Sequence, residues 1–336
     1  MRHGQKTLKQ AALLCLFTFL TTSMLLESGR ALALSANGLN LWFQKMIPTL
    51  LPFMILSGIL IRMHLSGRFA GLFSPLLRPL FGLSDDCLYV IIIGFLCGFP
   101  MGARVTAESL QHGRISGREA SLLLAFCNNI GPVYFTGYVL QLFPVENPLP
   151  FLAGMYLLPL LYGLFLRYTI YRDIPVCRKG RLSSSASCPL RRKTGTQNAA
   201  SHIHAASIEA SPEPALLAQT QDAILSSLIA IASLGGYMIL FNLMNLIPDL
   251  LLPGNAVSAR ALCACLLEIT GGLSRLPSSD ALLAFILLPF GGLSCIAQTY
   301  SMIQDTGLSL KEYILHKSVQ TLLAFLYYSV LFRFLF

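Results

Sequence analysis

Charge is scarce in this sequence. Asp, Glu, Lys and Arg make up 12% of its 336 residues, against about 25% in a soluble globular domain. Hydrophobic residues make up 54%. A soluble enzyme of this length has too few charges here to coat its surface. The same numbers exclude a disordered chain, a coiled coil and a collagen-like fibre. Enzyme signatures are missing as well. There is no phosphate-binding loop, H-E-x-x-H, G-x-S-x-G or G-x-G-x-x-G. The nine cysteines include no C-x-x-C, and Cys263 and Cys265 have no nearby His to complete a zinc site. No cofactor and no metal are expected, and no catalytic residue is assigned. His64, His112 and His316 stand isolated, and His316 with Lys317 reads as the edge of the last helix.

What is present is long apolar sequence. Charge-free runs cover 46–61, 87–103, 120–145, 147–166, 223–248, 281–304 and 318–332. A spanning helix needs about 20 apolar residues. The expected class is therefore an all-α polytopic membrane protein in a lipid bilayer. The formal charge of +9 then reports cytoplasmic loops and not a nucleic-acid partner. Several runs are short or interrupted by Gly and Pro. Gly98-Phe99-Pro100-Met101-Gly102 ends one, Asn128-Asn129-Ile130-Gly131-Pro132 breaks another, and Gly291-Gly292 breaks a third. Lipid cannot satisfy the backbone groups freed at such breaks, so protein or a water-filled cavity must cover them.

Four segments follow. Residues 1–35 form an N-terminal anchor, in which Arg2, Lys6 and Lys9 precede the apolar stretch Ala11 to Leu26. An uncleaved helix is the favoured reading, and a signal peptide ending near Ala31-Leu32-Ala33 is the alternative. Residues 36–171 and 216–336 form two membrane halves. Between them, 172–215 is a polar, flexible cytoplasmic linker. Its basic residues are Arg172, Arg178, Lys179, Arg181, Arg191, Arg192 and Lys193, with Asp173 opposing them; His202 and His204 read as solvated. Three apolar runs precede the linker. If all three crossed, the basic linker would end outside, against the positive-inside rule. One of them is therefore expected to be a re-entrant hairpin, and the two halves then start on opposite faces. Re-entrant hairpins, broken helices and two inverted-topology halves are the architecture of many secondary transporters.

The candidate site residues are the polar ones in apolar surroundings. Arg104 and Glu108 are four apart, on one helical face. A guanidinium fork suits a carboxylate, so Arg104 reads as a substrate contact and Glu108 as a structural or orienting charge, with a purely structural pair at the membrane interface as the alternative. Asn128 and Asn129 read as substrate amides, with capping of the broken helix as the alternative. Glu268 is a default functional candidate as an intramembrane carboxylate. It would serve a coupling Na+ or H+ or hold a donor of the substrate. Thr270, Ser294 and Gln298 complete the substrate set. Gly98, Pro100, Gly102, Gly131, Pro132, Gly271, Gly272, Gly291 and Gly292 shape the backbone breaks.

Five motifs occur in order: I-P-T-L-L-P-F at 47–53, G-F-P-M-G-A-R at 98–104, L-L-A-F-C-N-N-I-G-P at 123–132, E-I-T-G-G at 268–272 and G-G-L-S-C-I-A-Q at 291–298. This ordered set resembles the sporulation integral membrane protein YlbJ (SpoVV-like) family. More distantly it resembles nucleoside-recognition Gate proteins and concentrative nucleoside transporters. The resemblance covers about residues 33–336 apart from the linker. It implies transport of a small anion, dipicolinic acid, across the mother-cell-derived outer forespore membrane of a sporulating bacterium. A non-transporting membrane scaffold for spore maturation and a nucleoside transporter are the alternatives.

Overall fold

The computed structural model of the chain describes residues 2–177 and 212–335. Most of the expected linker, with its basic run after Arg172 and with His202 and His204, lies outside the described residues. The described residues form helices and no strand. Four helical stretches are long and apolar enough to cross a membrane: Ser28–Arg62, Leu149–Tyr168, Leu217–Leu251 and Ser278–Ile303. The protein is thus an all-α polytopic membrane protein. Its outer surface agrees with that. Leu157, Leu161 and Phe165 on one helix, and Leu322, Phe325 and Leu326 on another, are exposed large apolar side chains. Such a surface is stable against lipid tails and not against water.

Helix α1 (Arg2–Leu26) leads into α2 (Ser28–Leu41), which crosses the expected segment boundary at residue 35. Ala31 there is buried with Leu243 and Leu246 of the second half. A π-helical turn, Trp42–Met46, joins α2 to α3 (Ile47–Arg62). Pro48 lacks the N–H that would bond the Gln44 carbonyl, which accounts for the widened turn. Short helices α4 (Ser66–Gly71) and α5 (Ser74–Phe81) follow, and α5 meets α6 (Asp85–Cys97) at a bend of 106°. Gly82, at φ 60°, ends α5. Ser84 caps α6, and Asp85 and Asp86 sit at its positive end. Helix α7 (Met101–Gln111) folds back on α6 across Gly98–Pro100. Helix α8 (Gly117–Phe126) starts with a capping box between Ser116 and Glu119. After the break at 127–131 the chain resumes as α9 (Pro132–Tyr134), a π-helical stretch Phe135–Val139 and α10 (Leu140–Leu142). Helix α11 (Leu149–Tyr168) closes the half.

The second half repeats this order. It has a long helix α12 (Pro212–Leu243) and a short α13 (Leu246–Leu251). A hairpin of α14 (Val257–Leu267) and α15 (Ile269–Leu273) follows. A broken helix of α16 (Ala281–Leu287) and α17 (Gly292–Ile303) comes next, and α18 (Leu310–Leu335) closes the half. The corresponding long helices pack across the halves, α3 on α12 and α11 on α18.

One end of the bundle is held by arginines. Arg167 is fully buried and donates to the carbonyls of Phe81, Tyr171 and Ile174, each at 2.9 Å. Arg78 pairs with Asp85. Arg118 binds both carboxylate oxygens of exposed Asp173 at 3.0 Å and holds that carboxyl below its ordinary range.

Candidate functional site

Glycine decides how closely the hairpins approach the broken helices. A Cβ on Gly94 or on Gly102 would fall 2.2 Å from the Cys127 carbonyl oxygen. The two arms of the first hairpin therefore straddle the first break. A Cβ on Gly131 would lie 2.7 Å from the Cys97 carbonyl oxygen, at the end of α6. The second half makes the equivalent contact: a Cβ on Gly292 would lie 2.9 Å from the Cys265 carbonyl oxygen, near the end of α14. Gly272 packs against the Cys265 backbone in the same way, at 2.3 Å. In each half the glycine of the broken helix thus sits on the last carbonyls of the hairpin's first arm.

A cavity opens where these parts meet. It encloses about 650 Å³ of empty space, its open mouth included. Both halves line it. The first gives Thr49, Leu50 and Phe53 of α3, Cys97 and Phe99 at the hairpin turn, and Ile130, Gly131 and Tyr134 at the break. The second gives Leu234 and Met238 of α12, Glu268, Ile269 and Thr270 at the hairpin turn, and Cys295 and Gln298 of α17. Exposed Phe53, Leu96 and Val133 form part of the rim.

Glu268 is the acidic residue in that lining, and no Lys or Arg joins it. It is buried and turns the chain between α14 and α15. Its Oε1 accepts from the Thr270 amide at 3.0 Å, and its Oε2 from the Gly271 amide at 2.6 Å and Asn242 Nδ2 at 3.1 Å. It makes no ion pair among the described residues. The Thr270 carbonyl accepts from Tyr138 at 2.7 Å. Gln298 donates to Ser294 at 2.9 Å, and the Ser294 side chain stands behind it, outside the lining.

The other candidates from the sequence are buried beside the cavity and bonded within the protein. Asn128 accepts from the Ala103 amide at 3.2 Å and donates to Thr299 and Tyr313, each at 3.0 Å. It ties the first break to α17 and α18. Asn129 donates to the Phe126 carbonyl at 2.5 Å, at the end of α8. Arg104 pairs with Glu108 at 2.9 Å and reaches Ser226 and Ser227 at 3.3 Å. Its Nη1 and the Glu108 Oε2 are buried without a hydrogen-bond partner among the described residues.

Two residues have a different place from that read in the sequence. Lys317 is fully buried and His316 nearly so, inside the bundle and not at its edge. His316 Nδ1 lies 2.7 Å from the Tyr162 hydroxyl. Lys317 donates to Asn129 Oδ1 and to Gln320 Oε1, both at 2.9 Å. Its neighbours Lys311 and Glu312 in the first turn of α18 make the segment look like a solvated helix start. The long apolar run after it is the signal that places Lys317 deeper.

Residues 43–141 match the Gate family, described as nucleoside recognition. That stretch holds α3, the first hairpin and the first broken helix. The chain is 27% identical over 343 residues to the "Sporulation integral membrane protein YlbJ" of Bacillus subtilis (strain 168), covering 94% of this chain and 81% of that protein. No solved structure matches the chain. Both matches agree with the resemblance read from the motifs.

Proposed function

We propose that this chain, similar to the sporulation integral membrane protein YlbJ, carries a small organic metabolite through the membrane by alternating access. The observation that supports this most is the cavity itself. Both hairpin turns and both broken helices border it, and such breaks are tolerated in a membrane where they line a binding cavity. The repeated order of elements supports an inverted pair of halves. The arginine-rich end, with Arg62, Arg78, Arg114 and Arg118, and the basic linker would face the cytoplasm.

The substrate we favour is dipicolinate, and the membrane is the outer forespore membrane. An aromatic diacid fits walls that include Phe53, Phe99 and Tyr134. Glu268 would serve a coupling Na+ or H+, because a bare carboxylate repels a dianion. Arg104, Asn128, Asn129 and Ser294, which hold the walls in this state, would reach substrate only in another. A second reading has its own support. The lining carries an acid and no base, which suits a neutral nucleoside, and the Gate family is described by nucleoside recognition.

Uptake into proteoliposomes separates these. The purified protein is expected to accumulate labelled dipicolinate, saturably and in a sodium- or proton-dependent way. Uptake of uridine alone would move the assignment to the nucleoside. Uptake of neither under any gradient would favour a scaffold.

A further inference from the structure

Lys317 is a buried basic residue that its surroundings among the described residues leave without a counter-charge. The ammonium is fully buried, and its hydrogen-bond partners are the neutral side-chain oxygens of Asn129 and Gln320. No carboxylate pairs with it among the described residues. Arg104 differs, because Glu108 answers its charge. Asn129 and Gln320 in turn bind the Phe126 and Ala125 carbonyls at the end of α8. That helix end supplies about half a negative charge. Once protonated, Lys317 is left net positive inside a membrane protein, where an unpaired charge is costly.

The ammonium lies 4.8 Å from the centre of the Phe99 ring, a cation–π contact. Phe99 is also a wall of the cavity. One aromatic ring therefore borders both Lys317 and the space where a ligand would sit. The ring has room because residue 291 is glycine: a Cβ there would come within 3.2 Å of Phe99 Cε2.

We propose that Lys317 is the anion-recognising residue of this cavity and that Phe99 is its door. Turning the Phe99 ring aside lets the ammonium meet a carboxylate of a small aromatic acid. With the cavity empty, the ring covers the charge. This rests on the transport reading above and deepens it, since it supplies the base that the lining lacks.

The test compares binding of pyridine-2,6-dicarboxylate and its uncharged diamide to the purified full-length protein. The parent is expected to prefer the diacid at least tenfold. Lys317→Gln keeps a polar group of similar reach but removes the charge. It should bind both ligands equally, with diamide affinity unchanged, whereas Lys317→Arg should keep most of the preference. A merely structural lysine would weaken both ligands together and leave their ratio alone. Phe99→Leu leaves Lys317 in place, keeps an apolar residue and should speed diacid association several-fold. It carries the test if Lys317→Gln fails to fold. A diacid-to-diamide ratio unchanged in Lys317→Gln, or an association rate unchanged in Phe99→Leu, overturns the proposal and leaves transport standing. A parent that binds neither ligand overturns both.

Discussion

Asn128 shows why a polar residue in an apolar run has two meanings. The same composition arises when a side chain faces a ligand and when it holds a broken helix together. The sequence marks Arg104, Asn128, Asn129, Glu268, Thr270, Ser294 and Gln298 alike. The structure separates them, with Glu268, Thr270 and Gln298 on the cavity and the rest outside its lining, bonded to other side chains or to backbone. Sequence spacing cannot make that division, because it depends on which helix of the other half lies opposite. Asn128→Ala would strand the Ala103 amide and two hydroxyl partners. A buried unsatisfied group costs about 1–3 kcal/mol, so the variant should show a clearly lower Tm in detergent than the parent. Glu268 should behave differently. Glu268→Gln keeps the size of the cap and removes its charge. Its single acceptor oxygen leaves a donor unmet, so a somewhat lower Tm is expected, but the folded, monodisperse protein should also show uptake reduced at least tenfold and no longer responsive to a sodium or proton gradient.

At the scale of elements, the glycines are the part of the site most legible in the sequence. They occur where the charge-free runs are interrupted, and the structure turns or breaks the chain at Gly98, Gly131 and Gly291. Gly94 is the exception, because it sits inside α6 with no break beside it. Its reason is packing against the Cys127 carbonyl, which a one-dimensional pattern does not carry. Gly102 has the same constraint. Gly102→Ala would put a methyl group 2.2 Å from that oxygen, and overpacking of this kind costs about 1–3 kcal/mol or more. Gly137→Ala meets nothing within 4 Å and is expected to be tolerated. Thermal unfolding of the two variants side by side checks this, since both add the same methyl group to a helix.

For the whole molecule, membrane class follows from composition, because 54% hydrophobic residues with 12% charge leave no soluble solution, and the helical class follows from the length of the apolar runs. A division into two halves is proposed from the sequence, where the basic polar segment between apolar runs makes it visible. The cross-half pairing of α3 with α12 and α11 with α18 is not, since no local pattern encodes it. Orientation can be tested directly. A fluorescent protein inserted near residue 190 should fluoresce, and an alkaline phosphatase fusion at the same position should be inactive, if the linker faces the cytoplasm.

The central claim is that the cavity between the two hairpins is where substrate binds. Thr49 lines it from α3 and is only part-buried, so Thr49→Trp would fill the space with little strain on the fold. The measurement is equilibrium binding of labelled dipicolinate to this variant and to the parent, both confirmed monodisperse. The account predicts that the parent binds saturably and that the Trp variant binds at least tenfold more weakly at an unchanged Tm. Equal binding by the two proteins would contradict it, because the ligand would then sit elsewhere.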